Sequence, residues 1–298
     1  MTPCTLCPRQ CGIDRSKNRS FCHAGSEILL SHTMLHHWEE PCLSGQNGAG
    51  AVFFGGCPLG CVYCQNRTIV EGKVGREVTP HELCEVFLQL EKQGAHCIDL
   101  VTPTHFWDRI AEAVKEAKAR GIAIPFVANT GGFERSEILQ EYAKDMDIFL
   151  TDYKYGSRET AQRYSSFADY EAYAFGAMET MVSLVGEPCF GKDGLLKKGV
   201  IVRHLVLPAH ETESMAVLTK LFERFGNGIL YAIMNQYTPP HGIGGQFPEL
   251  ASPLHPIAYK RVVRHAERLG IENGYMQEGG TVSESFIPDF PTQRGQTT

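Results

Sequence analysis

The chain has 298 residues, of which 43% are hydrophobic and 21% charged, and this composition is typical of a folded globular protein. A formal net charge of -6, with no cluster of Lys and Arg, argues against a protein that binds nucleic acid regardless of its sequence. No stretch reaches the roughly 18 consecutive apolar residues of a membrane span. The N-terminus also lacks a basic region followed by an apolar one, so we expect a cytoplasmic protein without a membrane partner.

The first segment, residues 1–50, is rich in cysteine and lacks a sustained helical or strand period, which predicts a metal-organised or loop-rich extension. Eight of the eleven cysteines lie within residues 1–64, at short spacings unlike those of a disulfide framework. In a reducing compartment such thiols are more often metal ligands. Four of them would complete a structural zinc site or hold an iron–sulfur cluster: Cys4, Cys7, Cys11 and Cys22.

Six short apolar runs are predicted to be buried strands. They cover residues 51–54, 97–101, 125–128, 147–150, 200–207 and 229–234. Amphipathic helices are predicted between and after them, and the clearest begins at a capping box of Thr79 and Glu82, with Pro80 at the first helical position. Further helices carry apolar faces over residues 110–117, 215–225 and 259–269.

Strands that alternate with helices imply parallel pairing through right-handed crossovers. Periodicity alone does not distinguish a doubly wound sheet from a partial barrel. Polar residues follow the C-terminal ends of the strands, where barrel enzymes place their chemistry. We therefore predict an α/β fold, a partial (βα)6 TIM-like barrel over residues 51–280. The Cys-rich extension precedes this barrel, and residues 281–298 form a C-terminal tail.

Three cysteines follow the first predicted strand in the pattern CxxxCxxC: Cys57, Cys61 and Cys64. A [4Fe-4S] cluster usually takes four thiolates, so three closely spaced ones suggest that one iron is left open for another ligand. Gly60 lets the loop wrap around a cluster, and Tyr63 places an aromatic ring beside the last ligand. The alternatives are a zinc loop or three unrelated buried thiols.

This motif, on a loop after a strand, resembles that of the radical S-adenosylmethionine (SAM) superfamily, and the resemblance covers about residues 50–280. Residues 64–66, 129–132 and 152–154 and Arg203 make the chain most similar to activating enzymes of glycyl-radical enzymes. It is closer still to uncharacterised relatives labelled as pyruvate formate-lyase activating enzymes. The resemblance implies that the open iron binds SAM. A donor such as flavodoxin or ferredoxin supplies an electron, and SAM is cleaved to a 5′-deoxyadenosyl radical that abstracts a hydrogen atom.

By the same resemblance, residues at the ends of the strands line the SAM pocket: Tyr63, Thr102, Thr104, Asn129, Thr130, Asp152, Lys154 and Arg203. Arg203 is the candidate for the SAM carboxylate because its planar fork suits bidentate recognition. The alternatives are a structural salt bridge for Arg203 and a mutual pair for Asp152 and Lys154. The Gly-Gly-Glu segment usual after the second strand is replaced by residues 102–105, whose carbonyls and hydroxyls can accept the same hydrogen bonds.

The predicted substrate is a protein or peptide, with activation of a glycyl-radical enzyme as the case that the resemblance implies. One alternative is a radical SAM enzyme acting on a small molecule, and another is a zinc-binding scaffold without catalysis. No residue stands out as the hydrogen donor to a product radical. The aromatic-rich segment over residues 153–175 is interpreted as a helix packed on the barrel rather than as a substrate wall.

Overall fold

The computed structural model describes residues 3–277, so the C-terminal tail predicted for residues 281–298 lies outside the described residues. The strands are β1 (Ile28–His36), β2 (Ala49–Phe54), β3 (Arg76–Val78), β4 (Ile98–Val101), β5 (Phe126–Thr130), β6 (Ile148–Asp152), β7 (Cys189–Phe190), β8 (Leu196–Leu205), β9 (Leu230–Met234) and β10 (Gly274–Met276). The α-helices are α1 (Pro41–Ser44), α2 (Arg67–Val70), α3 (Pro80–Lys92), α4 (Trp107–Ala119), α5 (Ser136–Tyr142), α6 (Arg158–Ser165), α7 (Tyr170–Val185), α8 (Glu211–Phe225) and α9 (Pro256–Leu269). Short 3-10 helices cover Thr104–Phe106, Ile243–Gly245 and Pro248–Leu250.

The centre of the sheet is parallel and runs in the order β2-β4-β5-β6-β8-β9. These are the six strands predicted from the apolar runs. Every residue of β2 and β4 is buried, as expected for parallel strands covered on both faces. The predicted α/β class is confirmed, and six parallel strands with intervening helices are consistent with the partial (βα)6 barrel.

The sheet extends beyond this centre at both ends. β1 pairs antiparallel with β2 and β3 antiparallel with β1, while β10 joins β9 in parallel. The segment predicted to be loop-rich thus contains a nine-residue strand of the main sheet, which was not predicted. Ser31, His32 and Thr33 interrupt the apolar pattern in β1: Ser31 is buried and donates to the Val74 carbonyl, whereas His32 and Thr33 are only partly buried. The division of the chain into domains remains a prediction.

The four helices predicted from apolar faces are α3, α4, α8 and α9. The capping box of α3 is confirmed, since Thr79 Oγ1 accepts from the Glu82 backbone N–H at 3.2 Å and Glu82 Oε2 accepts from the Thr79 backbone N–H at 2.8 Å. The aromatic segment packs into the core, with Tyr153, Tyr155 and Tyr164 fully buried. No helix within residues 3–277 combines the length and apolarity of a membrane span.

Candidate active site

The loop that carries the cysteine triad follows β2 and depends on two glycines. Gly56 and Gly60 adopt φ values of 87° and 64°, in the left-handed region that favours glycine. A Cβ atom on Gly56 would collide with the backbone oxygen of Cys22, and one on Gly60 would lie 2.7 Å from the Phe21 ring. The triad loop therefore turns tightly and packs directly against the N-terminal segment.

The triad and the predicted SAM pocket belong to one cavity of about 250 Å³ at the C-terminal ends of the parallel strands. Its lining includes the three triad cysteines and every residue predicted for SAM: Cys57, Cys61, Cys64, Tyr63, Thr102, Thr104, Asn129, Thr130, Asp152, Lys154 and Arg203. These residues come from the ends of β2, β4, β5, β6 and β8. Six separate segments of the chain thus bring polar and thiol groups to one place, with Trp38 and Glu39 joining from the loop after β1.

Asp152 and Lys154 form an ion pair, with 2.7 Å between Lys154 Nζ and Asp152 Oδ2. This is the alternative considered from the sequence, but both side chains also line the cavity. Burial opposes the charge on Lys154, yet Asp152 and the Cys61 thiol outweigh it and the pKa of the amine is raised. Lys154 therefore stays charged beside the triad, where it lowers the pKa of the Cys57 and Cys64 thiols against the larger effect of burial.

Arg203 forms the salt bridge that was its alternative role. Its Nε donates to Glu40 Oε1 at 2.7 Å and its Nη2 to Glu40 Oε2 at 2.6 Å, while Nη2 also contacts Glu39. Both carboxylates are nearly buried, with side-chain exposures of 8% for Glu39 and 7% for Glu40. Burial opposes the charge of the guanidinium, but the two carboxylates hold its pKa well above the usual value. Glu39 and Glu40 were not predicted, because they lie in the segment read as loop-rich.

The end of β4 is shaped by a buried acid that the sequence did not reveal. Thr102 has a φ of 63°, a left-handed conformation that is strained for a threonine. Thr104 donates a hydrogen bond to Glu134, whose other oxygen accepts from Trp107 Nε1 at 3.0 Å. Glu134 is fully buried, and burial raises its pKa to about 7 although both donors favour the charged form. Glu134, from the loop after β5, thus accepts a hydrogen bond from the segment of residues 102–105 that replaces Gly-Gly-Glu.

A second buried acid, Asp99 on β4, orients Asn129. Asn129 Nδ2 donates to Asp99 Oδ2 at 3.2 Å, and Asp99 is completely shielded from solvent. Burial, reinforced by the negative charge of Glu39, raises the pKa of Asp99 well above its usual value. The amide that lines the cavity is therefore fixed from behind by a carboxyl group rather than by another cavity residue.

One family model matches the part of the chain that contributes most of this cavity. Residues 51–181 match the family model of the radical SAM superfamily. These residues form a radical SAM domain. Its triad loop, its first four parallel strands and most of the cavity residues lie inside the matched range.

One curated relative of the chain is the uncharacterised protein MJ0674 of Methanocaldococcus jannaschii. It is 24% identical over 277 residues, which are 90% of this chain and 75% of that protein. Similar solved structures include SuiB of Streptococcus suis bound to SAM, with a TM-score of 0.48 and 11% identity over 76% of this chain and 49% of SuiB. Methylornithine synthase (PylB) has a TM-score of 0.47 and 16% identity over 73% of this chain and 63% of that one. The chain spans about half the length of SuiB.

A radical SAM domain implies SAM and a [4Fe-4S] cluster, and the chemistry of the triad fits the cluster. Burial raises the pKa of Cys57 to about 11 and that of Cys64 to about 12, and the neighbouring thiols add to the rise because their negative charges would repel. Iron removes this penalty by binding the thiolates directly. Within residues 3–277, no three His, Cys, Asp or Glu side chains are arranged to hold a single metal ion. A cluster does not require that arrangement, because it binds each thiolate at a different iron.

The four N-terminal cysteines lie outside the cavity but beside the triad loop of the radical SAM domain. The side chains of Cys4 and Cys11 hydrogen-bond to each other, and burial together with the charges of Cys22, Cys4 and Cys11 raises the pKa of Cys7 to about 12. Between Cys7 and Cys11, Arg9 donates from Nε to the Pro58 carbonyl at 2.5 Å. The fold thus places these cysteines near one another, without arranging three of them around a single metal ion within residues 3–277, and ties their segment to the triad loop.

Proposed function

We propose that Cys57, Cys61 and Cys64 hold a [4Fe-4S] cluster, and that the chain uses SAM to abstract a hydrogen atom from a protein or peptide. The observation that carries this proposal is the single cavity at the strand ends, which joins the triad to every residue predicted for SAM. When bound and reduced, the cluster supplies the electron that cleaves SAM to a 5′-deoxyadenosyl radical.

In this proposal, different side chains of the cavity bind different groups of SAM. Arg203 offers a guanidinium for the SAM carboxylate, and Glu39 and Glu40 fix its plane before SAM arrives. Asn129 presents an amide oriented by Asp99, and Asp152 presents a carboxylate charge-balanced by Lys154. The segment after β4 contributes Thr102 and Thr104 in place of Gly-Gly-Glu.

The size of the cavity favours a polypeptide substrate. Its volume of about 250 Å³ lies below the range of roughly 300–1,000 Å³ that is usual for a site holding one small ligand. A peptide segment reaching in from the surface needs less enclosed space than a second small molecule. Trp38 lines the cavity with 65% of its surface exposed, and exposed aromatic rings are common in protein-binding surfaces. Activation of a glycyl-radical enzyme is the specific case supported by the sequence resemblance.

A small-molecule substrate is the second candidate, and a structure of the complex with SAM separates it from the first. A cavity that SAM alone fills would favour a peptide substrate, because no enclosed space would remain for a second small molecule. An enclosed chamber that admits a further small molecule in the SAM complex would favour the alternative.

The N-terminal thiols hold a second metal in this proposal, either zinc or a second iron–sulfur cluster. Support comes from the mutual proximity of Cys4, Cys7 and Cys11 and from the contact of their segment with the triad loop. The electron donor is a reductant of the flavodoxin or ferredoxin class.

Metal analysis of anaerobically prepared protein tests the cofactor part of the proposal. We expect iron and sulfide in equal amounts, about four of each for the triad, and an electron paramagnetic resonance (EPR) signal after reduction that changes when SAM is added. Cys64→Ala removes that signal, whereas Cys189→Ala, at an exposed cysteine in β7, retains it. Zinc without iron or sulfide would instead identify a metal-stabilised scaffold.

A further inference from the structure

The three triad cysteines differ in the groups that donate hydrogen bonds to their sulfurs. Backbone N–H groups of their own loop act to lower the pKa of Cys57 and Cys64, against the larger effect of burial. Cys61 receives a side-chain hydroxyl from a distant part of the chain, since Ser165 Oγ donates to Cys61 Sγ at 3.3 Å. Tyr155 joins this contact, with 2.7 Å between its hydroxyl oxygen and Ser165 Oγ.

The Ser165 and Tyr155 hydroxyls form a hydrogen-bonded network at the Cys61 sulfur. Either hydroxyl can be the donor in the contact between Tyr155 and Ser165, and the Tyr155 side chain also hydrogen-bonds to Cys61, so the two hydroxyls form one network at the sulfur. Tyr155 is fully buried and Ser165 is 2% exposed, so water does not compete with these bonds and each strengthens the next.

Two contacts hold Ser165 in place at the C-terminal end of α6. The helix ends at Ser165, and the next residue, Ser166, has a left-handed φ of 51°, so the carbonyl of Ser165 lacks a helical partner. Arg9 Nη2 donates to that carbonyl at 2.8 Å. The Val62 backbone N–H also donates to the Tyr164 carbonyl at 2.9 Å, which joins the triad loop to the same helix end.

We propose that the Ser165 hydroxyl, supported by Tyr155, raises the reduction potential of the cluster held by the triad. This inference rests on the cluster assignment made under the proposed function. A reduced cluster carries one more negative charge than an oxidised one, and a hydrogen bond to its thiolate stabilises that charge. Ser165 and Tyr155 therefore act as tuning residues, which make the cluster easier to reduce without contacting SAM.

Redox titration monitored by EPR tests this inference in the full, anaerobically reconstituted chain. Ser165→Ala is expected to shift the midpoint potential of the triad cluster to a more negative value. Tyr155→Phe keeps the ring and the Ser165 bond but removes the supporting donor, so a smaller shift in the same direction is expected. Ser214→Ala is the matched control, because Ser214 is equally buried but lies on α8.

The outcomes are distinct from those of the proposed function. An unchanged or more positive potential in both variants, at the cluster content of the unmodified protein, overturns the inference and leaves the cluster assignment intact. If Ser165→Ala fails to assemble the cluster, Tyr155→Phe decides, and an unshifted potential in that variant overturns it. An unmodified protein that assembles no [4Fe-4S] cluster at all overturns the proposed function, and this inference with it.

Discussion

Arg203 and Glu40 form a bidentate ion pair at the wall of the cavity, with Nε–Oε1 at 2.7 Å and Nη2–Oε2 at 2.6 Å. The arginine is on β8 and the glutamate directly precedes α1, so the pair joins the two halves of the sheet across the site. A guanidinium held in this way has a fixed plane, but its carboxylate partners compete with any anionic ligand. The pair is therefore a structural contact, and in the proposed function its carboxylate competes with that of SAM for the guanidinium.

Arg203→Met is expected to destabilise the fold, because it leaves Glu39 and Glu40 buried without their cation. Breaking one side of a buried ion pair typically costs about 3–5 kcal/mol. Urea denaturation of the metal-free chain measures the loss. Glu40→Gln keeps an acceptor for the guanidinium, and Glu39 still balances its charge, so a smaller loss is expected. Equal losses in the two variants would show that the charge balance is not the cause.

Glu134 is expected to make stability depend on pH. Its folded-state pKa of about 7 lies above the unfolded value, so the folded protein binds more protons and the stability from this group is lost as pH rises through about 7. Glu134→Gln removes this dependence. The free energy of unfolding of the unmodified chain, minus that of Glu134→Gln, is expected to fall between about pH 4.5 and 7. The exposed Glu112→Gln serves as the control, and a constant difference for Glu134→Gln would contradict the prediction.

Lys154→Met is expected to weaken SAM binding to the reconstituted protein. The change removes the cation beside the triad and leaves Asp152 without its partner, at the wall of the cavity. Hydrogen bonds to charged groups contribute about 1.5–3 kcal/mol, which corresponds to roughly a tenfold to hundredfold loss of affinity. Isothermal titration with SAM measures it, and Lys154→Arg, which keeps the charge, should recover part of the loss. Unaltered affinity in Lys154→Met would remove this residue from the SAM site.

Gly56→Ala is expected to reduce the iron content of the reconstituted protein. A methyl group there would meet the backbone of Cys22, so either the triad loop or the N-terminal segment must move. Gly186 provides the control, because its φ of 73° is also left-handed but no atom lies within 4 Å of an added Cβ. Gly186→Ala should therefore cost only the backbone strain of about 1–2 kcal/mol and leave iron binding unchanged. Equal effects would mean that strain alone, rather than the contact with Cys22, matters at Gly56.

The parts of the fold that the sequence predicted are those with local signals. Unbroken apolar runs marked the six parallel strands, and the capping box at Thr79 marked the start of α3. β1 was not predicted because Ser31 and His32 break its apolar pattern. Its pairing with β2, rather than the propensity of its own residues, makes this segment a strand. Local patterns do not report such pairing.

The candidate site shows the same division between local and long-range information. The triad was recognisable because its cysteines are close in sequence. The position of Arg203 was also predicted, but its partners Glu39 and Glu40 are more than 160 residues away. Ser165 is 104 residues from Cys61 and gives no signal of its own. Contacts of this kind become visible only when the fold brings the segments together.

Formation of 5′-deoxyadenosine tests the central claim most directly. Anaerobically reconstituted protein, given dithionite and SAM, is predicted to produce it, while Cys64→Ala produces none and Cys189→Ala matches the unmodified protein. Absence of 5′-deoxyadenosine from unmodified protein that carries a full [4Fe-4S] cluster would contradict the account.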